Sequence, residues 1–229
     1  MDNDYMIKWN KYDVGRVPWI NKHRQHPHRQ HFLDFVRNRT HINYILEVGP
    51  GEMIEGQQLL EEYNETEFRY TVLDISSVFL QYALELSNNY VNLDVCEGSM
   101  ENMPFKDKSF DLIYLSSVIE HTPNLDNTMK NMQRVSNEFY ITMFKWHLKD
   151  GGLTPEYNKK KDYYSTSFNL EMLFDKLNEY SEIRNVFASI VGIDRPMRYS
   201  EFKKQYLDTH DQSKFRNPNV RLNIHGIFD

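Results

Sequence analysis

Short segments rich in β-branched and aromatic residues alternate with segments of helical apolar spacing along most of this chain. Strands are predicted at residues 44–48, 69–74, 91–95, 110–115 and 138–144, with two more near 182–190 and 221–228. Helices are predicted at 55–63, 77–87, 124–136 and 168–179. Because parallel neighbours need a crossover connection, the alternation predicts an α/β three-layer sandwich with a mainly parallel sheet and helices on both faces. We expect seven strands in this sheet, the last of them antiparallel.

The length of 229 residues is most simply accounted for by one domain. We expect residues 31–229 to form it, with the polar segment 193–219 as an insertion before the last strand. Residues 1–30 form an N-terminal arm that carries several aromatic residues. The arm is predicted to be an amphipathic helix or a lid over a ligand.

The arm and the residue after it hold a histidine-rich patch of His23, His26, His28 and His31. No carboxylate or thiolate joins these histidines at metal-ligand spacing, so no metal site is predicted. A single cysteine, Cys96, excludes an internal disulfide and any multi-thiolate zinc site.

The charge balance argues against nucleic acid as a partner. The formal net charge is −6 and the pI about 5.9, so the chain lacks the basic field that duplex nucleic acid selects. The N-terminus has no basic stretch followed by an apolar one, and no apolar run approaches membrane-spanning length. We therefore predict a soluble, cytoplasmic protein with no membrane partner; its oligomeric state stays open.

The stretch LEVGPGEMIEG, residues 46–56, leaves the first predicted strand and enters a helix. Ligands of α/β sheets bind at this edge, and the glycines let backbone approach a ligand closely. A dinucleotide loop needs a third glycine three positions after Gly51, where Ile54 stands. Asp74 closes the second strand, where an acid can accept hydrogen bonds from both ribose hydroxyls. An adenosine-type ligand is predicted, with an NAD-dependent oxidoreductase or epimerase as the alternative.

Four ordered motifs strengthen this prediction: EVGPG at 47–51, LDIS at 73–76, GSMENMPF at 98–105 and FDLIYLSSVIEHT at 110–122. Together they resemble the class I S-adenosylmethionine-dependent methyltransferases, in particular the type 11 methyltransferase domain of the small-molecule group. The resemblance covers about residues 44–145 and implies a Rossmann-like fold with S-adenosyl-L-methionine as cofactor.

The resemblance also implies cofactor-binding residues. They are Glu47, Gly49 and Gly51 beside the methionine and ribose, Asp74 on the ribose, Ile75 against the adenine face, Ser99 and Met100 at the adenine edge, and Ser116 and His121 at the end of the fourth strand. The chain departs from the family pattern twice. Ser99 replaces an aspartate, and Glu55 stands where the family usually has a further glycine.

Methyl transfer requires mainly that donor and acceptor be held in line, because the sulfonium already activates the methyl group. A hydroxyl acceptor also needs a base, and histidine is the favoured residue type near neutral pH. His121 and His147 follow the fourth and fifth strands and are the candidate catalytic residues. An amine or carboxylate acceptor can react without a base.

Aromatic and basic residues near the predicted ligand edge are candidates for contact with the acceptor: Trp146, Tyr163, Tyr164 and, in the arm, Arg16. The motifs of enzymes that methylate DNA amino groups or cytosine carbon are absent, which favours a small-molecule acceptor. We predict O-methylation of a hydroxyl on a sugar or a sugar-phosphate-like metabolite. The alternatives are N- or carboxyl-methylation of another metabolite and a cofactor-binding module without turnover.

Overall fold

The predicted alternation of strands and helices is present in the structure, a computed structural model that describes residues 26–63, 65–148, 150–159, 163–188, 197–209 and 221–228. Within these ranges the strands are β1 Tyr44–Val48, β2 Arg69–Asp74, β3 Leu93–Glu97, β4 Phe110–Ser116, β5 Ser136–Met143, β6 Trp146–His147, β7 Glu156–Asn158, β8 Tyr163–Ser165, β9 Phe168–Asn169, β10 Ser181–Ala188, β11 Met197–Arg198 and β12 Leu222–Phe228. The helices are α1 Pro27–Arg37, α2 Ile54–Glu62, α3 Ser77–Ser87, α4 Leu125–Val135, α5 Leu170–Asn178 and α6 Tyr199–Phe202.

The main sheet has the strand order β11-β10-β12-β5-β4-β1-β2-β3. The strands β3, β2, β1, β4 and β5 are mutually parallel, whereas β12 is antiparallel to both β5 and β10. The mainly parallel sheet with an antiparallel last strand is therefore confirmed. An eighth, two-residue strand, β11, lies at one edge beyond the seven predicted. Two residues are too few to show a strand pattern, and β11 is a strand only because it pairs with the distant strand β10.

Helices cover both faces of this sheet, so the three-layer arrangement is confirmed. Successive residues of a strand point to opposite faces. Accordingly, Ile45 of β1 packs in a core with Phe32 of α1, and the next residue, Leu46, packs in a second core with Met129 of α4 and Phe174 of α5. Fully burying side chains of this size contributes about 1.5–3 kcal/mol each, which is what fixes the helices to the sheet.

Local sequence explains where several helices begin. Asn124 caps α4 by accepting a hydrogen bond from Asn127 N at 3.0 Å, and Asn169 caps α5 in the same way from Met172 N at 3.1 Å. Pro27 occupies the first turn of α1, where its missing N–H costs nothing. Helix α1 runs through residue 30, so the predicted arm and domain share this helix.

The segment predicted as a polar insertion is described from residue 197 to 209. It contains β11, α6 and a π-helical turn, Lys203–Leu207. Its buried side chains pack into the core that contains α4 and α5, namely Met197, Phe202, Tyr206 and Leu207. None of the helices in the described ranges is long and apolar enough to cross a membrane.

Parallel strands bring their carboxyl ends to one edge of the sheet, and this edge positions the site. Val48, Asp74 and Ser116 end β1, β2 and β4 there. Since β12 runs the opposite way, its first residue, Leu222, lies at the same edge and pairs with Met143 at the end of β5.

Candidate active site

The loop between β1 and α2 has left-handed backbone at three residues. Gly49, Gly51 and Met53 have φ of 63°, 54° and 51°, a conformation that glycine adopts without penalty. Gly49 N donates to Leu73 O of β2 at 2.8 Å, which fixes the loop to the neighbouring strand. A Cβ at Gly49 would lie 2.2 Å from Val118 Cγ2, whereas a Cβ at Gly51 would meet no described atom within 4 Å. The backbone at Gly51 is therefore open to a ligand.

Asp74 presents a carboxylate at the end of β2. The residue is 7% exposed, and its Oδ1 accepts a hydrogen bond from Ser76 N at 2.8 Å. Burial raises the pKa of this carboxyl to about 6, although the backbone amides of Ser76 and Ile75 oppose the rise. A carboxylate without hydrating water is stabilised by hydrogen bonds from hydroxyl donors, such as those of a ribose.

Apolar side chains stand around this carboxylate in the same cavity. Leu73, Ile75, Phe79 and Met100 line it and provide walls that suit a flat aromatic base. The Ser99 hydroxyl accepts from Glu101 N at 3.3 Å. Ser99 therefore lines the cavity with a hydroxyl that is held by this hydrogen bond, and it carries no charge where the family usually has an aspartate.

Glu47 lies beneath the glycine loop and is 1% exposed. Tyr70 donates its hydroxyl hydrogen to Glu47 Oε2 at 2.9 Å. Burial, reinforced by the nearby Glu55 carboxylate, holds the pKa of Glu47 well above its ordinary value. Glu47 therefore favours its neutral, protonated form, which can donate a hydrogen bond.

Glu55 builds a buried ion pair into the same wall. The residue lies in the first turn of α2, where Tyr114 donates its hydroxyl hydrogen to Oε1 at 2.8 Å and Arg29 of α1 pairs with Oε2. The side chains of Arg29 and Glu55 are 11% and 2% exposed. Sequence reasoning noted Glu55 only as a departure from a family glycine. Its partner is 26 residues away on another helix, and no local signal connects the two.

A cavity of about 260 Å³ opens between these elements. The nine predicted cofactor residues all line it: Glu47, Gly49, Gly51, Asp74, Ile75, Ser99, Met100, Ser116 and His121. The structure thus brings the four sequence motifs to one place. Sequence reasoning missed several other lining residues, among them Phe79, Val118 and Arg221.

His121 enters this cavity from a 3₁₀ turn, Ile119–His121, that follows β4. Its Nδ1 lies 2.9 Å from Tyr164 O, and its ring meets the Tyr163 ring edge-on with the centroids 5.0 Å apart. A carbonyl oxygen can only accept, so Nδ1 carries the proton in this contact. The neutral imidazole then has its basic lone pair on Nε2, the tautomer that a general base requires.

The remaining predicted residues lie elsewhere. Tyr163 and Tyr164 are in β8 and reach the cavity only through His121. Trp146 and His147 form β6, which pairs with β9, and neither lines the cavity. The chain turns away from the sheet edge after β5 to make this pairing, and it leaves the His147 side chain exposed. The structure therefore does not bring His147 to the site. Arg16 lies outside the described residues.

Glu120 lies between Ser116 and His121 in the sequence and is fully buried. Its Oε1 accepts from Phe144 N at 2.7 Å and from Lys145 N at 3.4 Å. Its carbonyl oxygen accepts from Thr166 N at 2.7 Å. Glu120 thus ties together the segments that follow β4, β5 and β8, and it does not line the cavity.

The four matched motifs, the glycine loop and the carboxylate at the end of β2 define a Rossmann-like domain that binds an adenosine-containing cofactor. Residues 46–138 match the family model described as a methyltransferase domain. Over these residues the chain is similar to class I S-adenosylmethionine-dependent methyltransferases, which implies S-adenosylmethionine as its cofactor.

Known proteins resemble the chain over parts of their length. A polyketide synthase-nonribosomal peptide synthetase of Aspergillus clavatus is 35% identical over 101 residues, which are 42% of this chain and 2% of that protein. A sterol 4-C-methyltransferase of Caenorhabditis elegans is 35% identical over 86 residues, which are 34% of this chain and 22% of that protein. The chain thus spans less than a quarter of the length of either relative.

Among solved structures, a methyltransferase of Thermotoga maritima described as a possible histamine N-methyltransferase superposes with a TM-score of 0.60. The match covers 97% of this chain and 99% of that one at 16% identity, and it demonstrates a shared fold.

The residues present fit this cofactor. Asp74 is a desolvated acceptor where the ribose is predicted, the walls near Ile75 and Phe79 are apolar, and the backbone at Gly51 leaves room that a side chain would fill. When bound, S-adenosylmethionine supplies a methyl group on a sulfonium sulfur. The chain's own residues hold, orient and desolvate it.

The two loop glycines give a paired test of the close contact with Val118. Gly49→Ala and Gly51→Ala share the strain of a left-handed backbone, but only the first pushes a methyl group into Val118. We expect Gly49→Ala to lose about 1–3 kcal/mol more unfolding free energy than Gly51→Ala in urea titrations. Gly152→Ala, with its nearest atom at 3.9 Å, is the control and should be close to neutral. Equal losses at Gly49 and Gly51 would contradict the contact.

The raised pKa of Asp74 predicts how cofactor affinity depends on pH. Hydrogen bonds from two ribose hydroxyls need the charged carboxylate, and below pH 6 the free protein holds a proton there that binding must expel. S-adenosylhomocysteine affinity should be level above about pH 7 and fall by up to about tenfold per pH unit below 6. Titration calorimetry at several pH values measures this. Asp74→Asn cannot titrate, so its weaker binding should lack this step; an identical step in that variant would assign it to another group.

Proposed function

We propose that this chain transfers a methyl group from S-adenosylmethionine to a hydroxyl of a polar small molecule, of which a sugar or a sugar-phosphate-like metabolite is the favoured class. The observation that carries the oxygen acceptor is the hydrogen bond between His121 Nδ1 and Tyr164 O. It supports a histidine at the cavity lining with Nε2 as the basic atom, which a hydroxyl acceptor requires.

The roles of the chain's residues follow from this geometry. The glycine loop and Asp74 hold the cofactor, and the walls near Ile75 and Val118 exclude water. When bound, the cofactor would supply the methyl group: the acceptor oxygen would bond to the methyl carbon as the carbon–sulfur bond breaks, and the sulfur would keep the electron pair. His121 Nε2 takes the hydroxyl proton as that oxygen gains its new bond.

A carbon acceptor is the second candidate, because one relative is named a sterol 4-C-methyltransferase. The same His121 base would then remove a proton from carbon. Amine and carboxylate acceptors are further alternatives, and neither depends on a base. Variation at His121 therefore separates hydroxyl and carbon acceptors, which need a base, from amine and carboxylate acceptors, which do not.

Calorimetric titration of the purified chain with S-adenosylhomocysteine and, separately, with NAD tests the cofactor first. We expect binding of the first and none of the second; the reverse result would favour an oxidoreductase or epimerase. Slow cofactor hydrolysis with no accepted substrate would favour a binding module without turnover.

An acceptor screen then tests the chemistry. It measures S-adenosylhomocysteine release with matched hydroxyl, amine, carboxylate and activated-carbon compounds, for the native chain and for His121→Gln. We expect turnover of hydroxylated, sugar-type compounds and a loss of kcat in the variant. His147→Gln, altered at an exposed residue outside the cavity, serves as the control. Turnover of amines or carboxylates alone, unaffected by His121→Gln, would overturn the proposal.

A further inference from the structure

Arg221 brings a positive charge into the cavity from the last strand of the chain. It directly precedes β12, whose first residue pairs with Met143 at the end of β5. Its guanidinium donates a hydrogen bond to the Ser117 hydroxyl and lies 5.5 Å from the Phe144 ring centroid. Arg221 therefore stands over the ends of β4 and β5, on the far side of β4 from the β2 residues Leu73 and Asp74.

The two arginines of the cavity differ in their partners. Arg29 is paired with Glu55, whereas no carboxylate within the described residues lies within 4.0 Å of the Arg221 guanidinium. Burial, together with the positive charge of Arg29, lowers the pKa of Arg221. The carboxylates of Glu120 and Glu55 attract Arg221 only from a longer range, and neither forms an ion pair with it.

A partly buried cation without a close counter-ion is unfavourable, and an arginine is well suited to relieve this by binding an oxyanion through two parallel hydrogen bonds. The Ser117 hydroxyl occupies only one terminal nitrogen of the fork, Nη1. The remaining donors and the charge are available to a ligand in the cavity.

We infer that Arg221 binds an oxyanion carried by the methyl acceptor. The acceptor is then a molecule that carries a carboxylate or a phosphate ester in addition to the hydroxyl that is methylated. This inference rests on the proposed methyl transfer and specifies its substrate class. The position of Arg221 favours the acceptor over the cofactor as the source of the oxyanion. Seven of the nine predicted cofactor residues belong to or follow β1, β2 and β3, whereas Arg221 lies on the β5 side of β4, in the same cavity as His121, the proposed base.

The cofactor itself has an α-carboxylate, so the test must distinguish the two sources. Arg221→Gln keeps a hydrogen-bond donor near Ser117 but removes the charge. Its affinity is measured for S-adenosylhomocysteine and for 5′-methylthioadenosine, which lacks the amino-acid carboxylate. The protein loaded with S-adenosylhomocysteine is then titrated with inorganic phosphate and with acetate, at an ionic strength held constant with chloride.

We expect both adenosine ligands to bind Arg221→Gln within about twofold of the native affinity, and phosphate or acetate to bind at least about tenfold more weakly. If the Gln variant folds poorly, Arg221→Lys is tested in its place. This variant keeps the charge and should retain oxyanion binding. Arg184→Gln is the matched control, since Arg184 is half exposed and paired with Glu182 on β10.

Three results would overturn the inference. The first is a loss of S-adenosylhomocysteine affinity with 5′-methylthioadenosine unaffected, which would assign Arg221 to the cofactor carboxylate. The second is equal oxyanion binding by the native protein and Arg221→Gln. The third is no oxyanion binding by the native protein. Failure of the native protein to bind S-adenosylhomocysteine would instead refute the proposed function, and it is read in a separate titration.

Discussion

Arg29→Met is expected to lower the free energy of unfolding by about 3–5 kcal/mol, because it leaves the buried Glu55 carboxylate without its charged partner. Methionine preserves most of the apolar volume of the arginine stem, so the loss reports on charge more than on packing. Urea titration followed by circular dichroism measures the change, and the slope of the titration reports whether the unfolding remains two-state.

Two further variants isolate the ion pair. Glu55→Gln in the Arg29→Met background removes the unpaired charge and keeps an oxygen for the Tyr114 hydroxyl, so it should recover most of the loss. Arg37→Met is the matched control on the same helix. Its pair with Glu62 is solvent-exposed, at 33% and 41%, and should contribute less than about 1 kcal/mol. Similar losses for Arg29→Met and Arg37→Met would show that burial of the Arg29 pair has no special weight.

Asp74→Ala is expected to weaken S-adenosylhomocysteine binding by about 2–3 kcal/mol, or roughly 30- to 150-fold in Kd. The reason is the loss of a charged acceptor for two ribose hydroxyls in a desolvated site. The stability of the fold should change little. Removing the carboxyl loses its hydrogen bond with Ser76 N, but it also removes the cost of burying the group, which its pKa of about 6 indicates.

Calorimetry of three variants checks this result. Asp74→Asn retains an acceptor for Ser76 N and should bind between the native chain and Asp74→Ala. Asp94→Ala is the control, since Asp94 is about half exposed on the neighbouring strand β3 and pairs with Arg69 at the surface. It should bind S-adenosylhomocysteine with native affinity. Native affinity in Asp74→Ala would show that the ribose is held elsewhere.

Much of the fold could be predicted because its signals are local. The helix predicted at 77–87 has the same bounds in the structure, and the strands predicted at 44–48 and 69–74 match theirs. Each depends on apolar periodicity within a few residues, which tertiary contacts here reinforce. The cofactor half of the site could be predicted equally well, because the loop at 49–51 and the acid at 74 each lie at the end of a predicted parallel strand.

The acceptor half of the site was harder to predict from the sequence. His147 follows a correctly predicted strand, yet the chain turns there into β6 and pairs with Phe168 and Asn169, a contact between residues about 20 positions apart. His121 and His147 look alike in sequence, each a histidine a few residues beyond a buried strand. The structure distinguishes them, because His121 lines the cavity and contacts Tyr163 and Tyr164, whereas His147 is exposed outside the cavity.

The sequence by itself thus determined the α/β class, the edge of the sheet where the cavity lies, and the glycine loop and acid that line that cavity. Tertiary structure alone decided the charges around them. Arg29 and Arg221, 192 positions apart in the sequence, line one cavity, and only the first finds a carboxylate within the described chain. Strand and helix periodicity follows from backbone geometry that repeats every few residues. Partners for buried charges are set by how distant elements pack, and no local pattern encodes that.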